Sequence, residues 1–200
     1  MNWTDVSWNQ YLEILEIFED KDLGESDRVI ELCKVLYGIN ILQLPMTEYN
    51  KYIGGLKFLN TQPPKLPLME EYTVNDTVYT VTTDVANLTV AQYFDVDAYI
   101  KQSKDVDNYV KIMSVFFIPK GKKYNEGYKT ADVIEDMGEL PVPVVLSLSA
   151  FFLKFWRTYI KISQRFLWLK TRKMPKPMRK KLREELKKME QTMDSVYSVY

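Results

Sequence analysis

The chain has 200 residues, 46% hydrophobic and 14% aromatic, enough to bury one sizeable core and too apolar for intrinsic disorder. No histidine and a single cysteine are present, which excludes histidine-based acid–base chemistry, His-containing metal sites and a disulfide within the chain, and fits a reducing compartment. The net charge of zero hides a polarised chain: residues 1–153 carry 13 Lys+Arg against 23 Asp+Glu (−10), residues 154–188 carry 14 against 2 (+12), and the last twelve add −2.

Such a separation of charge steers association over a Debye length of about 8 Å and favours head-to-tail contacts. Met1-Asn2-Trp3-Thr4-Asp5 lacks the basic start and apolar run of a secretory signal, so synthesis and residence in cytoplasm are expected. Ser7 opens a Ser/Thr-x-x-Gln capping box with Gln10. It predicts a first helix over 8–18 with Tyr11, Leu12, Leu15 and Phe18 at helical spacing. The polar stretch 19–26 ends that helix, and a second runs over 27–37, with Gly38 as its C′ residue. Cys33 lies in an apolar run and reads as a core residue. A third helix follows Leu44-Pro45 and carries Tyr49, Tyr52, Ile53, Leu56 and Leu59. Its Gly54-Gly55 pair costs about 1 kcal/mol per glycine relative to alanine, which points to close packing there.

Pro63, Pro64 and Pro67 mark a linker. Residues 71–81 form two β-branched and aromatic runs around Asn75-Asp76, a hairpin signal. A lone hairpin is marginal in water, so this one must pack on helices or pair with another chain. Thr89 with Gln92 then repeats the capping box 82 residues after Ser7. The echo continues, since residues 27–37 align with 107–117 at nearly every apolar position, and Leu140-Pro141 matches Leu44-Pro45. Two copies of a three-helix unit is the simplest reading.

In the second copy, helices are predicted over 90–102 and 106–118, then a short one over 130–137. A long helix runs from Pro141 to about residue 172. Pro175 and Pro177 break the chain before a last helix over about 178–196. The expected fold is mainly α: two similar three-helix units, 1–62 and 88–160, joined by a linker and β-hairpin at 63–87, plus a long basic C-terminal helical arm at 161–200.

Chemistry is sparsely signalled. Asp95 and Asp97 are two apart and share no helix face; Glu13, Glu16 and Asp20 share one, which reads as solvated surface. The loop 120–129 lacks the Gly-x-x-x-x-Gly-Lys-Ser/Thr phosphate-binding pattern. It reads as a basic surface loop whose Tyr124 and Tyr128 suit a protein contact. In the Pro141 helix, Lys154, Arg157, Lys161 and Arg165 form a basic stripe opposed by Phe151, Phe152, Phe155, Trp156, Tyr159, Ile160 and Phe166. Its uncharged run, 142–153, is shorter than the roughly 20 residues that span a bilayer. A core helix emerging to meet a partner, with Trp156, Tyr159 and Arg165 as contact residues, is favoured over an interfacial membrane helix, which the aromatic and basic faces would also suit. Arg172, Lys173, Arg179, Lys180 and Arg183 on the arm are suited to phosphate neutralisation, so nucleic acid is the alternative partner. No catalytic residue, metal or cofactor is nominated.

The run Leu88-Thr89-Val90-Ala91-Gln92-Tyr93-Phe94-Asp95, the run from Val115 to Tyr124, and Leu140-Pro141-Val142 with Phe151-Phe152-Leu153 resemble small morphogenesis proteins of tailed bacteriophages. The likeness is to the tail-assembly-chaperone-like and related tail or neck ring proteins of phages infecting gut Bacteroidales. It covers roughly residues 7–160. The resemblance implies a non-enzymatic virion structural or assembly protein in the tail or neck, assembled in the bacterial cytoplasm. It implies other phage structural proteins (tail, neck or portal-proximal) and further copies of the chain as partners. A transient tail-assembly chaperone, absent from the finished particle, is the variant of that role. The basic extension departs from the compact pattern and favours a permanent component.

Overall fold

The computed structural model describes residues 1–84, 87–102, 108–152 and Lys180. Among these the protein is mainly helical, with a small three-stranded antiparallel sheet. The expected arm beyond residue 160 and the Pro141 helix beyond residue 152 lie outside the described residues, Lys180 apart.

A 3-10 turn at Trp3–Asp5, capped by Asn2, was not foreseen. Its Trp3 indole donates to the Thr61 carbonyl at 2.9 Å and meets Phe58 edge-on, tying the N-terminus to the end of the first helical unit. Helix α1 spans Trp8–Glu19 and α2 spans Glu25–Tyr37. Gly38 adopts φ +66° at the end of α2, the left-handed geometry that closes a helix without a Cβ clash. The inward face of α1 is Trp8, Ile14 and Ile17, with Tyr11 and Leu12 half-buried. Phe18, expected on the apolar stripe, is 51% exposed. The helix is anchored at its first turn, where the Trp8 N–H donates to the Leu140 carbonyl, and this rotation turns Ile14 and Ile17 inward instead.

Helix α3 spans Met46–Gly55 and passes into a 3-10 turn at Leu56–Asn60. The expected close packing is real at one glycine of its pair. A Cβ on Gly55 would collide with the Tyr37 hydroxyl, whereas one on Gly54 meets nothing within 4 Å. Gly54→Ala is therefore expected to raise stability by about 0.5–1 kcal/mol. Gly55→Ala should lower it by about 1–3 kcal/mol through overpacking. Urea unfolding of the two variants checks this, and the same sign at both positions would refute the packing argument.

Strands β1 (Glu71–Val74) and β2 (Thr77–Val81) form the expected hairpin, with Asn75 and Asp76 both at positive φ, +45° and +62°. That pair of left-handed residues is what a tight two-residue hairpin turn requires. Asp136 holds the hairpin to a helix by accepting from the Asn75 amide at 2.9 Å and from the Tyr79 hydroxyl.

Helix α4 spans Val90–Gln102 as expected, and α5, described over Asn108–Ser114, ends four residues before the predicted 118. Residues Phe117–Pro119 form a strand, β3, paired to β2 with Val81 opposite Phe117. Aromatic and β-branched residues ending in a proline suit an edge strand, and a third strand relieves the marginal stability of a lone hairpin. The hairpin's partner is thus supplied from within the chain.

Helix α6 spans Thr130–Gly138, and α7 is helical from 142 to 152. Val142, Val145, Leu148 and Phe152 of α7 are buried, and Phe152 stacks on Phe116 at 3.9 Å between ring centres. The described part of the Pro141 helix is therefore a core helix. The linker lies along it, with the Leu66 N–H donating to Ser147 Oγ at 3.0 Å.

Candidate interaction surface

Both capping boxes form. Ser7 Oγ accepts from the Gln10 N–H while Gln10 Oε1 accepts from the Ser7 N–H; Thr89 and Gln92 do the same. Each glutamine also reaches across its helix pair. Gln10 Nε2 donates to the Val35 carbonyl at 2.9 Å, and Gln92 Nε2 donates to the Val115 carbonyl at 2.9 Å. Val35 and Val115 are equivalent in the alignment of 27–37 with 107–117. Ile14 and Val96, Cys33 and Met113, Leu36 and Phe116 are further equivalent pairs, and all six are buried.

The start of α1 meets the start of α7 in a short antiparallel bridge of Ser7 with Pro141. The Trp8 N–H donates to the Leu140 carbonyl at 2.9 Å, and the Val142 N–H donates to the Val6 carbonyl at 3.0 Å. Extended backbone before one helix thus pairs with the Leu-Pro step that starts another, and Trp8, Val6 and Val142 are fully buried there.

The structure places the nominated tyrosines in the loop between β3 and α6. Tyr124 is half-buried and donates to Asp95 Oδ2 at 2.6 Å, joining the loop to α4. Burial, then the bond to the Asp95 carboxylate, raises the Tyr124 hydroxyl well above the ordinary tyrosine range. Tyr128 accepts from the Asn125 N–H at 3.2 Å, and burial raises its hydroxyl too. Each side chain therefore pins the loop and leaves only part of its ring for a neighbour. Asn125, Gly121 and Gly127 take positive φ in this loop, and Lys120, just after β3, pairs with Glu71 of β1 at 2.8 Å across β2.

Trp156, Tyr159, Arg165, Arg172, Lys173, Arg179 and Arg183 lie outside the described residues; Lys180 is exposed. Glu13, Glu16 and Asp20 are exposed, as a solvated face should be. Cys33 is fully buried, and burial pushes its thiol up, away from the reactive thiolate. Among the described residues no cluster of three or more Cys, Asp and Glu side chains is placed to hold a metal ion, and no helix is long and apolar enough to cross a membrane.

What the sequence reading missed is the exposed apolar side chains at two helix starts. Leu42 and Met46 flank the first Leu-Pro step and are each 71% exposed, while Val90 and Phe94 open α4 at 72% and 62%. A signal was available. Val90 and Phe94 are four apart and so share a helix face, while the buried Gln92 and Val96 define another. Comparison with protein-family models, curated proteins and solved structures finds no match to this chain.

Proposed function

We propose that this chain is a non-enzymatic structural or assembly component of a tailed phage particle, working through protein–protein contacts in the tail or neck as an oligomer. In this reading the fold is two copies of one unit, each a capped helix pair followed by a Leu-Pro helix. A hairpin joins them, and a basic arm clasps a neighbouring subunit. The Gln-to-carbonyl bond made at 2.9 Å in both helix pairs supports the duplication. The observation that carries the functional reading is the exposed apolar side chains at or just before the starts of α3 and α4, Leu42, Met46, Val90 and Phe94. Contiguous exposed apolar groups mark interaction sites, and repeated units bury a continuous face only by stacking on neighbours. Its partners are other structural proteins (tail, neck or portal-proximal) and further copies of the chain, and its place is the virion.

Mass spectrometry of purified particles, scaled to the portal and major capsid proteins, tests this reading. A fixed copy number near a ring multiple is the expected result. Absence from particles but presence in infected cells would replace it with the transient-chaperone role. Trp156→Ala is expected to weaken subunit contact by about 2 kcal/mol, on the order of thirtyfold in affinity, if the aromatic stripe is a hot spot. Normal oligomers and normal particle yield would sink that assignment. The polarised charge favours one rival, nucleic-acid binding through the arm, whose mark is salt-sensitive affinity lost on truncation after Leu169.

A further inference from the structure

The joint between the halves uses one helix start and one Leu-Pro step, and the duplication supplies a second set of each. Trp8 corresponds to Val90, Val6 to Leu88, Leu140 to Leu44 and Val142 to Met46. In the first set, the Trp8 and Val142 N–H groups donate across the bridge, and the side chains flanking it are buried. In the second set, the Val90 and Met46 N–H groups and the Leu88 and Leu44 carbonyls make no hydrogen bond among the described residues. Of their side chains, Leu44 and Leu88 are half-buried against the chain's own core, while Val90 and Met46 are exposed, as are Phe94 and Leu42 near them.

We infer that a second copy of this chain fills the vacant joint, the α4 start of one copy docking on the Leu44-Pro45 step of the next. There the Val90 N–H donates to the neighbour's Leu44 carbonyl, and the neighbour's Met46 N–H donates to the Leu88 carbonyl. The bridge within the chain thus continues between chains with the same backbone pairing.

One feature selects a second copy over an unrelated partner. The matching surface already exists in this chain, since the intramolecular joint shows that a helix start of this unit fits a Leu-Pro step of this unit. Because the contact joins two different patches, it is heterologous, and repetition gives a closed ring or a filament.

The proposal rests on the duplicated-unit assembly reading and narrows its partner to a second copy. Sedimentation velocity of the full chain over a range of concentrations tests it, against a monomer of 23.6 kDa. The wild type is expected to form oligomers, and Val90→Asp and Met46→Asp, both at exposed positions, to remain folded monomers with unchanged circular dichroism. An equimolar mixture of the two variants keeps one good α4 start and one good Leu-Pro step, so it should give dimers that do not extend. Phe94→Asp and Leu42→Asp repeat the test at the neighbouring positions.

A wild type that is monomeric throughout, oligomers insensitive to all four substitutions, or a mixture that stays monomeric would each overturn the proposal. A monomeric chain that is still present at fixed copy number in particles overturns this contact and leaves the particle reading standing. Oligomers that behave as described but never enter particles uphold the contact and remove the particle reading.

Discussion

Trp8→Ala is expected to destabilise the protein by about 3–5 kcal/mol, while Val90→Ala, at the position aligned with it in the proposed repeat, changes stability by less than about 0.5 kcal/mol. Trp8 is fully buried and contacts the Tyr11 ring at 5.2 Å between centres. It also opens α1 at the bridge to Leu140, so its removal leaves a cavity where the two halves meet. Val90 occupies the matching place in α4 but is 72% exposed, so truncating it costs the isolated chain almost nothing. Urea unfolding at low protein concentration measures both. A comparable loss at the two positions would mean that the second joint is already closed within one chain, which would remove the ground for self-association.

Gln92→Leu is expected to cost about 2–4 kcal/mol, because a side chain of similar size leaves the Thr89 N–H and the Val115 carbonyl unpaired. Gln92 is only 1% exposed and spans from its own helix cap to the end of α5, and Val115 is itself fully buried. Gln10→Leu, which removes the same two bonds in the first helix pair, should cost about 1 kcal/mol. Gln10 and Val35 are only half-buried, so water can reach the groups that are left behind. Chemical denaturation distinguishes the two substitutions; the reverse order would show that the duplicated bond does not scale with burial. Gln92→Glu, which turns a carboxylate oxygen onto the Val115 carbonyl in a buried site, should cost at least as much as Gln92→Leu at neutral pH.

The two glutamines also show how much of the candidate surface was legible. The capping boxes could be read directly, because a Ser or Thr and a Gln three residues apart satisfy each other locally. Their second role, crossing to Val35 and Val115, was readable only as an alignment of two segments and needed the packed helix pair to become a bond. The tyrosines of the loop were nominated for a partner. In the fold, Tyr124 is turned onto Asp95, a residue 29 positions earlier that no local pattern links to it. The exposed starts of α3 and α4 were not nominated, because a capped amphipathic helix looks the same whether its first turn is covered or bare.

By itself the sequence determined what depends on neighbours two to four residues apart. The caps at Ser7 and Thr89, the left-handed Gly38, the Asn75-Asp76 turn and the start of α3 after Pro45 all follow from local sterics and hydrogen bonding. Tertiary structure decided the rest. Phe117–Pro119 became a strand because β2 offered an edge, and α1 rotated to bury Ile14 rather than Phe18 because Leu140 held its first turn. It also covered Trp8 at the start of α1 and left Val90 and Phe94 at the start of α4 exposed. That difference turns on where distant segments meet, which the local order of residues does not mark.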